Sequence, residues 1–138
     1  MKLLIVGCGR VGSTVASRMA ADGHDVTVID EDPEALARLP EDWPGRFVQG
    51  HALDIDVLID AGIETADSVV VATDGDNTNI VIAQVAQKRF NVPCVVVRIL
   101  DPARSAFYSS LGLQTVCATS AAIETTTRAI CDTPGRAA

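Results

Sequence analysis

The fold of this chain is indicated by residues 3–12, which read Leu3-Leu4-Ile5-Val6-Gly7-Cys8-Gly9-Arg10-Val11-Gly12. An apolar run breaks directly into the pattern Gly-x-Gly-x-x-Gly, and apolar residues at helical spacing follow. In a strand–turn–helix unit the first glycine permits a tight turn, the second leaves room for a phosphate, and the third lets the helix approach the strand. The free N–H groups at the helix start favour an anion. We therefore predict a pyrophosphate-binding turn here.

Strand-like and helix-like segments alternate along the rest of the chain. Strands are predicted at 3–6, 25–30, 46–49, 67–72, 94–99 and 114–117, each followed by a helix. This alternation is typical of a parallel sheet with helices on both faces. Six strands predict a doubly wound α/β fold of the Rossmann type, with strand order 3-2-1-4-5-6. We expect one nucleotide-binding domain over residues 1–132 and a disordered tail over 133–138.

Composition and charge argue against several classes of function. The 138 residues carry a net charge of -7, which disfavours nucleic acid and anionic lipid as partners. No apolar run approaches the roughly 18 residues of a membrane span, so direct membrane insertion is not expected. The four cysteines lack metal-binding spacing, which predicts free thiols in a reducing cytosol and no metal site.

The second predicted strand ends in acid, and this indicates which nucleotide the turn binds. Asp30 lies 23 residues after Gly7, near the spacing of a carboxylate that holds a ribose 2′-hydroxyl. Glu31 and Asp32 follow, where NADP sites usually place a cation. The pattern favours NAD over NADP and also permits ATP or ADP. The alternatives are a solvated acid at a strand end and glycines that serve only strand–helix packing.

Further polar residues stand where strands end, at the edge of the sheet where ligands bind. Arg10 and Arg98 are candidate phosphate contacts, although Arg98 could instead pair with a neighbouring acid. Thr73 and Asp74 could contact the ligand or cap the next helix. His51 could lie beside an adenine or be solvated.

The residue types that catalysis would need are missing from their usual patterns. The only tyrosine, Tyr108, has Gly112 four residues later, so a Tyr-x-x-x-Lys reductase pair is absent. There is no Gly-x-Ser-x-Gly elbow and no Gly-x-x-x-x-Gly-Lys phosphate loop. Cys8 could be a low-pKa thiol at the helix start or a small filler residue. We interpret the chain as a sensor, with an NAD-dependent oxidoreductase as the alternative and an S-adenosylmethionine methyltransferase ranked lower.

Taken in order, these motifs resemble the TrkA N-terminal domain, also called the RCK or KTN domain, of potassium-transport regulators. The resemblance covers about residues 1–132. It rests on the glycine turn, Asp30, and the later pieces Gly50-His51-Ala52, Ala72-Thr73 through Asp76 and Asn79, and Val97-Arg98 with Asp101-Pro102.

The resemblance implies a cytoplasmic regulatory subunit and not an enzyme. Such domains bind NAD(H) or adenine nucleotides, form homodimers or rings, and act on a membrane potassium transporter or channel, to whose inner face they are peripheral. By the resemblance, the glycine turn would hold phosphates and Asp30 the ribose, with His51 and Ala52 beside the adenine. Thr73, Asp74 and Arg98 would line the remaining site.

Two features depart from that family. Gly50-His51-Ala52 stands where members usually have Gly-Asp-Ala, which removes an acceptor for the adenine amine. Many members also carry a second, smaller ligand-binding domain after the last helix.

Overall fold

The computed structural model describes residues 1–135, which form a six-stranded parallel sheet. The strands are β1 (Lys2–Val6), β2 (Asp25–Asp30), β3 (Arg46–Gln49), β4 (Ser68–Val71), β5 (Cys94–Arg98) and β6 (Gln114–Val116). Their order is β3-β2-β1-β4-β5-β6, and all neighbours are parallel. The predicted doubly wound fold is confirmed, while residues 136–138 of the predicted tail lie outside the described residues.

Helices connect the strands at the predicted places. They are α1 (Arg10–Ala21), α2 (Ile55–Asp60), α3 (Asp76–Lys88), α4 (Pro102–Ser110) and α5 (Ala118–Cys131). The helix expected after β2 is present as a 3-10 helix, Pro33–Arg38, and a second 3-10 helix, Ile63–Thr65, was not predicted. Asp32, Asp54 and Asp101 each accept a hydrogen bond from the first turn of the helix that follows, which satisfies N–H groups that have no partner inside a helix.

Each face of the sheet buries its own apolar cluster. Alternate residues of β1 point to opposite faces, so Leu4 and Val6 enter one cluster while Leu3 and Ile5 enter the other. The larger cluster packs under α2 and α3 and includes Leu58, Ile80, Ile82 and Ala83. The smaller one packs under α1 and the Pro33–Arg38 helix and includes Ala16, Ala20 and Ala35. Helices on both faces therefore hold the strand ends in a fixed arrangement.

Trp43 closes the outer side of the smaller cluster. Its indole Nε1 donates a hydrogen bond to the carbonyl of Ala16 at 3.4 Å. Beside it runs an apolar groove whose walls include Leu36, Leu39 and Phe47. The Pro33–Arg38 helix thus contributes to this groove.

The last helix, α5, differs from the others because none of its residues is buried. Ile123 and Ile130, one heptad apart, are 58% and 70% exposed. Phe107 of α4 and Leu111, just after α4, are also more than half exposed. α5 therefore lies on the surface of the described fold, with its apolar residues exposed.

Candidate functional site

One cavity of about 790 Å³ runs across the carboxyl ends of β3, β2, β1, β4 and β5. In a doubly wound sheet this edge, at the point where the strand order reverses, is where ligands bind. Most of the residues predicted from sequence line this cavity: Gly7, Gly9, Arg10, Val11, Asp30, Glu31, Asp32, His51, Ala52, Thr73, Asp74 and Arg98. Cys8 and Gly12 are not among the lining residues.

The glycine turn is shaped by close backbone approaches. Gly7 has φ +98°, and a Cβ there would lie 2.7 Å from the carbonyl oxygen of Ala72. A Cβ on Gly12 would lie 1.8 Å from the carbonyl oxygen of Gly7, so this glycine lets α1 pack against the turn. Gly9 has open space where a side chain would project. Gly9 therefore leaves the cavity open at the start of α1, while Gly7 and Gly12 allow the turn to pack against Ala72 and α1.

The Cys8 side chain points away from the cavity. It is fully buried, and its thiol donates a hydrogen bond to the carbonyl of Ala35 at 3.4 Å. Burial raises the pKa of the Cys8 thiol, and the nearby Asp30 carboxylate raises it further. The hypothesis that Cys8 is a low-pKa thiol is therefore wrong, because the fold buries its sulfur in the smaller apolar cluster and not at the N-terminus of α1.

The Asp30 carboxylate bridges the end of β2 and the glycine turn. One oxygen accepts from the N–H of Cys8 at 2.7 Å and the other from the N–H of Asp32 at 2.9 Å. Each carboxylate oxygen has a further lone pair, so Asp30 can still accept from a ribose hydroxyl. The two backbone N–H groups thus hold the Asp30 carboxylate in position without a ligand.

Arg38 is a cavity residue that the sequence analysis missed. It lines the cavity at the β2 end, and its Nη1 donates to the carbonyl of Cys8 at 3.1 Å. The Cys8 peptide is therefore held on one side by Asp30 and on the other by Arg38. The sequence prediction found no cation at this end, because Arg38 reaches it only through the turn of the 3-10 helix. The sequence signal that could have identified Arg38 was its position as the last residue of the helix that follows β2.

Asn79 ties the far side of the cavity together. It is 1% exposed, and its Oδ1 accepts hydrogen bonds from the N–H and hydroxyl of Thr73. Its Nδ2 donates to the carbonyls of Thr73 at 3.0 Å and of Arg98 at 2.9 Å. The ends of β4 and β5 are thereby joined. Asp74 does not cap α3, whose cap residue is Gly75 and carries no side-chain hydrogen bond.

His51 lies at the β3 end of the cavity beside Glu31. Its Nε2 is 3.5 Å from a Glu31 carboxylate oxygen, and its Nδ1 accepts from the N–H of Leu53 at 3.3 Å. Because Nδ1 accepts, the neutral ring carries its proton on Nε2. His51 therefore offers a donor where the resemblance expects an acceptor.

Charges of both signs line the cavity. Carboxylates of Asp30, Glu31 and Asp32 gather at the β2 end together with Arg38, while Arg10 opens α1 and Arg98 ends β5. Within residues 1–135, no group of three His, Cys, Asp or Glu side chains is placed to hold a metal ion. The arrangement suits a ligand with hydroxyl donors at one end and anionic groups further along.

This fold and cavity define a nucleotide-binding domain of the Rossmann type. The chain belongs to the TrkA-N domain family, whose model matches residues 3–119. It is 46% identical over 116 residues to the Trk system potassium uptake protein TrkA of Streptomyces coelicolor, an alignment that covers 84% of this chain and 52% of that protein. The chain thus spans about half the length of this relative.

Solved structures share the fold. The TrkA-N domain of the inner membrane protein ybaL from Escherichia coli superposes with a TM-score of 0.81 at 21% identity, covering 92% of this chain and 94% of that one. The Kef CTD of Shewanella denitrificans in an AMP-bound form gives a TM-score of 0.78 at 25% identity, with 94% and 80% coverage. Across residues 1–135, no helix combines the length and apolarity that crossing a membrane requires.

Proposed function

We propose that this chain is a nucleotide-sensing regulatory subunit of a potassium transport system. Its ligand is NAD(H), with ATP or ADP as the alternative, and ligand exchange biases a membrane transporter or channel. A ligand can do this only if it binds one conformation of the assembly more tightly than another. The proposal places the protein in the cytoplasm, peripheral to the inner face of the membrane through the transporter. Two findings support the proposal: the chain belongs to the TrkA-N family, and the structurally similar Kef CTD was solved in an AMP-bound form.

The observation that carries the proposal is the shared wall formed by Asp30 and the glycine turn. The Asp30 carboxylate is fixed against the Cys8 N–H, one strand spacing from the α1 N-terminus. The proposal is that Asp30 accepts from the ribose while the free N–H groups of the first α1 turn donate to phosphate. Both halves of a nucleotide are then held by one rigid unit.

We also assign ligand contacts to the remaining residues that line the cavity. His51 and Ala52, after β3, flank the base, and Glu31 and Asp32 limit the site to an unphosphorylated ribose. Thr73 and Asp74, after β4, and Arg98, at the end of β5, contact the part of the ligand beyond the first phosphate. Arg10 and Val11 open α1 beside the phosphates.

A sensing role is favoured over catalysis by the chemistry of the cavity wall. Among the described residues, the lining side chains include no tyrosine, lysine, serine or cysteine that could relay a proton or attack a substrate. The imidazole of His51 is exposed and faces Glu31. An NAD-dependent oxidoreductase would need such a group close to the reacting atoms.

The proposal includes assembly into a homodimer or a larger ring. Exposed apolar residues lie on α5 (Ile123 and Ile130) and on α4 (Phe107), and a second copy of the chain could cover them. Pairing would also supply the packing that α5 lacks. Ligand-dependent movement of one copy against another would then transmit the signal.

The test is a calorimetric binding panel of NAD, NADH, NADP, ATP and ADP. We expect NAD(H) or ATP/ADP to bind and NADP to bind weakly. Asp30→Ala should weaken binding roughly 10- to 100-fold, because a hydrogen bond to a charged group contributes about 1.5–3 kcal/mol. Asp60→Ala, a surface acid paired with Arg46, is the control. Unchanged affinity in Asp30→Ala, or turnover of an alcohol with NAD, contradicts the proposal.

A further inference from the structure

The groove beside Trp43 is a second concave surface of the molecule, and it shares no lining residue with the nucleotide cavity. It encloses about 580 Å³, and its apolar walls include Leu36, Leu39 and Phe47. Leu36 is 48% exposed. A single exposed apolar side chain needs no explanation, but a groove lined by several is typical of a surface that meets another molecule.

Local packing keeps the Trp43 indole in place at the groove. Its Nε1 donates a hydrogen bond to the carbonyl of Ala16 at 3.4 Å, and its backbone N–H donates to the carbonyl of Pro40 at 3.0 Å. A Cβ on Gly45 would lie 2.2 Å from the indole ring, so the lack of a side chain there lets the ring approach the backbone. The groove is therefore a preformed feature of the fold.

The 3-10 helix Pro33–Arg38 separates this groove from the nucleotide cavity. Residues three apart eclipse each other in a 3-10 helix, so the helix has three sides. On one side Ala35 is buried and Arg38 donates to the glycine turn in the cavity wall. Leu36 and Ala37, on the other two sides, line the groove. One short element thus faces both concave surfaces.

The rim of the groove is acidic. Glu41 lines the groove, and Glu41 and Asp42 are the central, exposed residues of the turn that the Trp43 N–H closes. Glu34 shares a side of the 3-10 helix with Ala37, which also lines the groove. None of these three acids forms an ion pair among residues 1–135.

Within residues 33–47, no free cation balances these acids. Arg38 and Arg46 are the only basic residues of that segment. Arg38 donates to the glycine turn, on the far side of the 3-10 helix. Arg46 pairs with the Asp60 carboxylate at 3.0 Å and donates to the Asp60 carbonyl at 2.7 Å. The groove therefore combines apolar walls with uncompensated negative charge.

We propose that the groove beside Trp43 binds a protein segment in which an apolar side chain is flanked by lysines or arginines. The apolar side chain lies between Leu36, Trp43 and Phe47, and the basic groups pair with Glu41 and Asp42. A second copy of this chain, with its net charge of -7, and an anionic lipid surface would both meet like charge here. Charge complementarity therefore favours a basic protein segment over either.

The proposed membrane partner is a source of such a segment. Cytoplasmic loops of membrane proteins carry an excess of Lys and Arg, so a loop of the transporter has the chemistry that the groove requires. This identification of the source rests on the proposed function, whereas binding of a basic segment does not. The partner contact and the nucleotide would then lie on opposite sides of the Pro33–Arg38 helix.

The test is calorimetric titration of the acetylated and amidated peptide Lys-Lys-Leu-Phe-Lys-Lys into the wild-type chain. The counterpart Glu-Glu-Leu-Phe-Glu-Glu should bind roughly tenfold more weakly, because it places like charges at the rim. Leu36→Ala should weaken the basic peptide roughly fivefold, from the loss of apolar contact area. Val81→Ala, which shortens a similarly exposed apolar residue on α3, is the matched control and should leave the affinity unchanged.

A neutral double variant tests the acidic rim. Glu41→Gln combined with Asp42→Asn should weaken the basic peptide roughly fivefold, the range expected for two exposed ion pairs. The matched control is Asp56→Asn combined with Glu64→Gln. It removes the same charge from α2 and the Ile63–Thr65 helix, which pack on the opposite face of the sheet, and should change the affinity by less than about twofold.

Several outcomes would overturn this inference. Wild type might as well lack the groove if it does not bind the basic peptide, and equal losses in the two double variants would mean that the peptide follows net charge alone. If Leu36→Ala dissociates a dimer in sedimentation velocity, the groove is an interface between copies. If Leu36→Ala abolishes wild-type binding to phosphatidylglycerol vesicles, the groove is a lipid-binding surface.

The nucleotide panel, run on the same wild-type protein, keeps the two proposals distinguishable. A chain that binds the basic peptide and no nucleotide retains this surface and loses the proposed function. A chain that binds nucleotide and not the peptide loses this surface alone.

Discussion

At the scale of single residues, the Cys8 peptide is the most constrained unit of the site. Asp30 accepts from its N–H, Arg38 donates to its carbonyl, and its thiol is buried against Ala35. All three partners come from the segment between the end of β2 and the end of the following 3-10 helix. The orientation of the glycine turn therefore depends on residues that follow it by more than twenty positions.

Arg38 should influence how the site responds to a phosphorylated ribose. It is the cation beside Asp30, so a ligand 2′-phosphate would have Arg38 as its counter-charge. Arg38→Gln should therefore weaken NADP more than NAD and increase the preference for NAD, by roughly tenfold for a lost charge-assisted hydrogen bond. Calorimetry with both ligands measures the ratio. Arg89→Gln, at the C-terminal end of α3, is the control, and an unchanged ratio in Arg38→Gln would show that Arg38 does not reach the ribose.

The buried Cys8 thiol should make stability fall at high pH. Its pKa is raised above the ordinary 9.0 in the folded state, so the unfolded chain loses this proton first as the pH increases. Ionisation then favours the unfolded chain, and the free energy of unfolding decreases as pH rises above about 9.

Urea denaturation at pH 7 and pH 10 tests this. Wild type should lose more stability between the two values than Cys8→Ala does. Cys131→Ala, which removes an exposed thiol, should behave as wild type. Equal losses in wild type and Cys8→Ala would exclude the thiol as the cause.

Residues whose position follows from local sequence were predictable, and residues placed by tertiary contacts were not. Asp30 ends β2, Gly7 follows β1 and Thr73 lies two residues after β4, and the ends of parallel strands share one edge of the sheet. The role of the Cys8 side chain was left open between a reactive thiol and a filler residue, because the direction of a side chain in a turn depends on what packs around it. Arg38 was missed because its guanidinium reaches the cavity through a contact across the fold.

At the scale of elements, the cavity depends on how β4 and β5 are joined. Asn79, on the first turns of α3, spans the two strand ends with four hydrogen bonds. The β4–β5 ladder pairs the strands as far as Val71 and Val97, and the buried Asn79 amide connects the chain segments beyond that pair. The positions of Thr73 and Arg98 therefore depend on the Asn79 side chain.

Asn79→Ala should therefore lower stability as well as ligand affinity. Removing the amide leaves backbone groups of Thr73 and Arg98 unpaired in a buried place, which costs roughly 1–3 kcal/mol per group. Chemical denaturation gives the free energy of unfolding, and Gln84→Ala on the same helix is the control. A loss below about 0.5 kcal/mol, the range of ordinary surface substitutions, would show that water replaces the amide.

Most elements could be predicted because hydrophobic period and capping residues are local signals. The apolar run after Asp67 predicted β4, for example, and Asp101 and Pro102 are residue types that commonly begin a helix, as they do in α4. The Ile63–Thr65 helix was missed because a single 3-10 turn has no period to detect. The exposure of α5 was not predictable either, since an amphipathic pattern does not reveal which surface it will meet.

At the scale of the whole molecule, the uncovered surface of α5 and α4 should control assembly. Ile123→Glu places a charge among exposed apolar side chains and should convert a dimer or larger species to monomer. Sedimentation velocity measures the change. Val81→Glu, which alters a similarly exposed apolar residue on α3, should leave the assembly unchanged. A wild-type monomer at high concentration, or an unaffected assembly in Ile123→Glu, would exclude this surface as the interface.

The Pro33–Arg38 helix separates the nucleotide cavity from the groove beside Trp43, and Trp43 is the only tryptophan in the chain. Indole emission responds to the polarity of its surroundings, so the protein contains its own optical reporter. Any ligand that draws Arg38 inwards should shift Leu36 against the indole and change the emission. Nucleotide exchange could then be followed in real time on unlabelled protein.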